Sequence, residues 1–404
     1  MRTIAGLLIL FSFIALNSNA QEITRWRNEN ASGRYYSDKL LPSWPADGPQ
    51  ILWTFENLGK GYSSPAISNG KIYVNGMVDG QAVLFVLDQN GKELQRFKYG
   101  KEFEESYPGC RSTPTIAGDA AYLYTGNGKL VCLDLKSGTA RWSKEMFTQL
   151  GGANITWGVT ESPLIEENMV FCTPGGKTNN VVALNRMTGE TLWSCPGLGE
   201  LSAYCTPQLI KLGNRRILVT HTASHVLGID ASNGKLLWSS EHPNEWSVHP
   251  NTPIYADGTI FVFSGYGQGG EMLRLSADGS SVTKAWSVKS FDSRIGGAVL
   301  IDGYMYGSGD SDRSWQCIDW KTGDRKYSSA SVGKGAVIAV NNKLIGYSEK
   351  GELFMADANP KEFTIISKTK VTRGSGEHWA HPVVNNGILY VRHGNALIAY
   401  KISQ

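Results

Sequence analysis

The stretch that decides the fold is CLDLKSGTARW, Cys132–Trp142, which reads as a strand end, a tight turn and a second strand that meets a tryptophan. The phrase returns as ALNRMTGETLW (Ala183–Trp193) and GIDASNGKLLW (Gly228–Trp238). Asp or Asn at its turn caps local backbone N–H groups, and the glycine takes a left-handed conformation that other residues resist. Aligned on the aspartate position, the anchors are Asp88, Asp134, Asn185, Asp230, Ser276, Asp319, Asp357 and Tyr400. Their spacing runs from 38 to 51 residues and centres near 45, the period of a four-stranded propeller blade.

Working outward, each anchor but the last is followed by a large ring: Phe97, Trp142, Trp193, Trp238, Trp286, Tyr327 and Phe363. About 20 residues before each anchor lies a second phrase, such as SSPAISNGKIYV or NTPIYADGTIFV. It reads as a β-hairpin: a short strand, a turn of Asn, Asp or Gly, and an alternating strand. Eight hairpins and eight anchors predict an all-β, eight-bladed propeller. The last unit ends at NALIAYKISQ without a fourth strand, and QILWTFENLG (50–59) holds the missing ring, Trp53. Residues 50–56 are therefore expected to pair with the C-terminal blade, closing the circle and hiding its edges.

The chain opens MRTIAGLLILFSFIALNSNA, with Arg2 before an apolar run and small residues up to Ala20. The run is too short for a membrane span of about 20 apolar residues and reads as a signal peptide over residues 1–20. No cysteine stands at the expected cut to take a lipid. A periplasmic or secreted, monomeric protein is expected, with residues 21–49 as a leader packed on a propeller of residues 50–404. Without Arg2, 38 Lys and Arg oppose 36 Asp and Glu, a balance that gives no reason to expect a nucleic-acid or anionic-membrane partner. The six cysteines are scattered singly, and Cys132 and Cys317 fall where other repeats place Val86, Ala183 and Met355. They read as core filler.

These phrases resemble the pyrroloquinoline-quinone (PQQ) type, tryptophan-docked β-propeller repeat, over nearly all of residues 45–402. Members of that family include quinoprotein alcohol dehydrogenases, which bind the quinone and Ca²⁺ on the axis. Others resemble the propeller lipoprotein of the outer-membrane β-barrel assembly machinery, which binds proteins without a cofactor. The stretch LLPSWPADGPQILWTFENLGKGYSSPAI looks like exported propellers related to the latter. The dehydrogenases carry a disulfide between adjacent cysteines against the quinone, and no adjacent pair occurs here.

The candidate ligand-binding residues precede the strands expected to line the channel mouth: Arg111, Trp157, Glu161, Tyr204, His249, Asn251, Arg294, Lys334, His378, Trp379 and His381, with Tyr62 beside them. For a quinone, Glu161 and Asn251 would donate oxygen to a cation, while Arg111, Arg294 and Lys334 would hold carboxylates. The competing reading is a solvated, polar funnel rim. His378 and His381 lie three apart, which in extended backbone turns them to opposite sides, so EHWAHP (377–382) is not read as a metal site. No nucleophile elbow, HExxH or phosphate loop appears. The expectation is a binding or scaffold propeller with no catalytic residues, no metal and no cofactor, taking a protein or glycan partner on its top face. PQQ- and Ca²⁺-dependent oxidation of an alcohol or sugar is the alternative. A carbohydrate-binding propeller using Trp157, Trp246 and Trp379 is the third reading.

Overall fold

The computed structural model describes residues 23–404. The expected signal peptide lies outside the described residues. Eight antiparallel sheets each carry four strands in sequential order, and two of them gain a fifth strand. Blade 1 contains Ala66–Ser68, Lys71–Val78, Gln81–Asp88 and Glu93–Lys101. Each later blade repeats this meander, from the one opening at Thr115–Ala117 to the one opening at Val383–Asn385. The middle strands are almost wholly buried and the fourth strands largely exposed, so the first strands face the axis. That is the eight-bladed propeller the repeats predict.

Closure occurs where expected. Ile51–Phe55 pairs antiparallel with Ala396–Lys401 and supplies the last blade's outer strand. Successive blades are docked by the repeat rings. Trp53, Phe97, Trp142, Trp193 and Trp286 each cover the turn glycine of the following blade, namely Gly91, Gly138, Gly189, Gly234 and Gly323. The indole nitrogens of Trp53, Trp142 and Trp193 also donate to the turn carbonyls of Gln89, Arg186 and Ala231. Trp238 departs from this pattern: Gly279 lies against Ile217 and Leu212 instead. At the turns, the side-chain oxygens of Asp88, Asp134, Asn185, Asp230 and Asp319 accept backbone N–H groups, as the sequence predicts. All six cysteines are buried and free.

The segment after Ile23 does not merely lie on a face. Ile23–Thr24 pairs with the axial strand of blade 2, and Thr24 Oγ1 donates to the Ile67 carbonyl of blade 1. Arg25 reaches the Ile165 carbonyl of blade 3. Arg27 then crosses to the opposite side, donating to Ala298 O of blade 6 and Val337 O of blade 7. Arg34–Tyr35 adds a parallel strand to blade 7. The segment is thus threaded along the axis, bonded to the strands that surround it. Farther on, Trp44 is buried in the core shared by blades 7 and 8. No helix among the described residues is long and apolar enough to cross a membrane.

Candidate functional site: an aromatic cup on the propeller axis

The loops that lead into the axial strands surround an open cup of about 210 Å³. One wall is a cluster of three mutually tilted rings, with Trp379 5.0 Å from Tyr62 and 4.8 Å from Tyr107. Trp157, 6.1 Å from Tyr204 and 6.3 Å from Trp246, belongs to the other. Tyr266 continues that side, and Trp26 and His381 meet edge to face at 5.1 Å in the lining. Two guanidiniums, Arg111 and Arg294, complete the polar lining.

Along several approach segments alternate side chains turn to opposite sides, although Tyr204 is left-handed (φ 71°) and the neighbours Arg294 and Ile295 both line the cup. Trp379 and His381 line the cup while His378 and Ala380 do not. Thr160 and Ser162 line it, and Glu161 between them turns away. Tyr204 and Thr206 flank Cys205 in the same way, and Val248 and Pro250 flank His249. Of the eleven candidates, Arg111, Trp157, Tyr204, Arg294, Trp379 and His381 therefore meet at the cup, together with Tyr62.

The other five have different surroundings. Glu161 is buried and accepts the Thr173 N–H; burial pushes its carboxyl up to about 8. Asn251 is committed to backbone, donating to Phe263 O and Ser293 O and accepting from Gly297 N. His249 stacks on His221 at 5.1 Å, with His242 at 5.6 Å, and burial first and His242 second lower it to about 3. Lys334 pairs with Asp310 and with Glu349. His378 stacks on His393 at 3.8 Å and contacts the Tyr347 hydroxyl. His378 and His381 diverge, as their spacing predicts.

Sequence reasoning did not find Trp26, Tyr107 or Tyr266. Trp26 belongs to no repeat. Tyr107 follows the acidic stretch KEFEES (101–106), which reads as a solvated loop although Glu102 and Phe103 within it are buried, and about half of Tyr107 is exposed. Tyr266 lies in a glycine-rich loop after a strand. The usable signal is the aromatic residue that recurs in several loops on the side where the blades' first strands begin, such as Tyr62, Tyr107, Trp157, Tyr204 and Trp379.

The histidine in the lining is not free to act as a base. Arg27 Nη1 donates to its Nδ1 at 2.7 Å, which places the remaining proton on Nε2, directed at Ile295 O at 2.8 Å. Burial, and then the Arg27 charge, lower His381 to about 3. The lining contains no carboxylate. A Ca²⁺–quinone pair needs oxygen donors, commonly carboxylates, on the cation. Glu161 and Asn251, the donors the sequence offers, face away or are already bonded. The residues present do not fit that group.

A family model described as outer membrane protein assembly factor BamB matches residues 37–156 and 79–329. The chain belongs to this family. Its propeller carries the PQQ-type repeat and is related to BamB. BamB of Escherichia coli K12 is 23% identical over 207 residues, 50% of this chain and 47% of that protein. BamB of Burkholderia pseudomallei is 27% identical over 256 residues, 59% of this chain and 61% of that one. The chain spans about half the length of the first curated relatives it matches, from 43% to 55%. Among solved structures, BamB from Moraxella catarrhalis superposes with a TM-score of 0.62 at 13% identity, covering 87% of this chain and 99% of that one. The quinohemoprotein alcohol dehydrogenase of Comamonas testosteroni gives 0.69 at 11% identity, covering 93% and 79%. These two likenesses establish a shared fold.

Proposed function

We propose that this chain is an exported, non-catalytic recognition scaffold of the cell envelope, which holds a protein partner at the cup-bearing end of its propeller. One observation carries the reading: the cup is lined by aromatic rings and guanidiniums, with no carboxylate and no free base. Such a lining binds and orients, since rings give large contact area and fixed hydrogen-bonding groups give specificity. General acid–base chemistry needs a group within reach that can exchange a proton near neutral pH. His381, with both nitrogens engaged, is not such a group. The relatives named as assembly factors support a protein partner, and the opening sequence supports export.

The test pairs two measurements on the mature protein. A photo-reactive residue placed at Trp246, on the cup's exposed edge, should give a discrete protein adduct in envelope preparations. The same residue at Gly213, in a strand-connecting turn of blade 4, should not. In parallel, the purified protein is titrated with PQQ, with and without Ca²⁺. Saturable quinone binding with a Ca²⁺-dependent rise in Tm would overturn the scaffold reading in favour of a quinoprotein. A glycan adduct in place of a protein one would overturn it in favour of the carbohydrate reading.

A further inference from the structure

Three guanidiniums stand around the cup bonded to carbonyls and hydroxyls rather than carboxylates. Arg111, in the wall, donates to the carbonyls of Ser106, Tyr107 and Gly109 and lies over the Phe103 ring at 4.8 Å. Arg27, behind His381, donates to Ala31, Ala298 and Val337 carbonyls. Arg392, fully buried near Tyr62, donates to Asn75 O and to Ser63, and its Nη2 has no partner. The carboxylate whose charge reaches Arg111 is Glu102. That group is itself buried and accepts the Phe103 and Gly126 N–H groups. Arg294 differs, because with Lys334 it shares Asp310 and Glu349, giving two cations and two anions.

Arg111 is half-buried, held by three carbonyls with Glu102 behind it, and no carboxylate lines the cup it faces. A cleft lined by one sign focuses its field on whatever enters, so an anion entering the cup meets the Arg111 guanidinium. The size of the cup limits the rest of the ligand. A cavity of about 150 Å³ admits benzene, whereas pockets for whole small molecules run to about 300–1,000 Å³. At about 210 Å³, the cup takes one ring and a small polar group. The remainder of the ligand must lie outside, over the exposed Tyr107 and Trp246.

Resting on the protein-scaffold reading above, we propose that the cup binds an aromatic side chain of an extended partner segment together with an adjacent carboxylate. The ring enters between the Tyr62–Trp379–Tyr107 cluster and Trp157, and the carboxylate meets Arg111. Two sources share this chemistry: the partner's own C-terminus, or an acidic side chain beside the ring.

Four acetylated Gly/Ser peptides test this against the purified mature chain, read by tryptophan fluorescence and calorimetry. One ends in Phe as the free acid, one in Phe amide, one in Asp-Phe amide, and one in Ala as the free acid. The Phe acid, the Asp-Phe amide, or both should bind saturably. The plain Phe amide and the Ala acid should each bind at least about tenfold more weakly, the scale of one charge-assisted contact. A stronger Phe acid assigns the C-terminus; a stronger Asp-Phe amide assigns the side chain. Arg111→Gln should weaken the better peptide about tenfold. Because Arg111 also holds its loop, Trp157→Leu in the opposite wall serves as the second variant and should weaken it too. Equal binding of acid and plain amide, or no loss in either variant, would overturn the proposal. So would a protein adduct from Trp246 with no binding of any carboxylate peptide, an outcome that leaves the scaffold reading standing.

Discussion

Glu161 keeps a carboxylate in a place that disfavours its charge, and the pH dependence of stability should show it. An unfolded glutamate releases its proton near pH ~4.3, whereas burial holds folded Glu161 up to about 8. Between those values the folded state keeps a proton that the unfolded state has lost, so stability falls as pH rises. The buried histidines act with the opposite sign. His249 and His381 are lowered to about 3, His378 to about 4 and His221 well below its usual range, all chiefly by burial. The unfolded chain takes up those protons below pH ~6.5, so stability falls again as pH drops toward 4. Melting temperature should therefore peak near pH ~6–7. Glu161→Gln, whose amide oxygen can still accept the Thr173 N–H, should raise stability by a few kcal/mol at pH 8 and change it little near pH 4.5. A variant that melts alongside the parent at pH 8 would show that Glu161 is already ionised in the folded protein.

At the scale of the strand and turn, the repeat was legible because the same physical demand recurs. A tight turn needs a left-handed residue, and the preceding blade needs somewhere flat to lay its ring; glycine meets both requirements. Gly189 (φ +74°) would place an added Cβ 2.8 Å from the Trp142 ring, whereas Gly258 (φ +73°) has open space. The two Gly→Ala variants share a backbone cost of about 1–2 kcal/mol. Gly189→Ala should lose about 1–3 kcal/mol more by forcing the ring away. Equal losses by chemical denaturation would show that the ring does not dock as described. The approach segments were legible only in part. Their polar residues mark the mouth of the channel, but alternation sends each second one into the blades. Trp379 and Trp157 line the cup, while Glu161, His249 and Asn251 bond to the protein around them. No pattern in a single segment reveals which phase of the alternation points inward; that is fixed by how each loop enters its first strand.

At the scale of the whole molecule, two segments from the same end of the chain do different work. Ile51–Phe55 closes the ring, and Trp53 announced it because it fills a vacancy in a counted repeat. The axial thread ahead of it gave no such signal, since its partners are backbone carbonyls contributed by several blades. Arg27 is the clearest case. Fully buried and lowered to about 10 by desolvation, it donates to the carbonyls of Ala31, Ala298 and Val337 and to His381. It thereby ties the leader to blades 6 and 7 and to the approach to blade 8. Arg27→Gln removes a buried charge, which offsets part of the loss, but it leaves several acceptors without donors at about 1–3 kcal/mol each. A net loss of at least ~3 kcal/mol is expected. Trp26 stands next to Arg27 and lines the cup, so loosening the thread should reshape the ligand site. In Arg27→Gln, Trp26→Phe should no longer alter quenching by a cup ligand, whereas in the parent it should. Full stability in Arg27→Gln, with ligand quenching unchanged, would mean that the ring holds its shape without the thread.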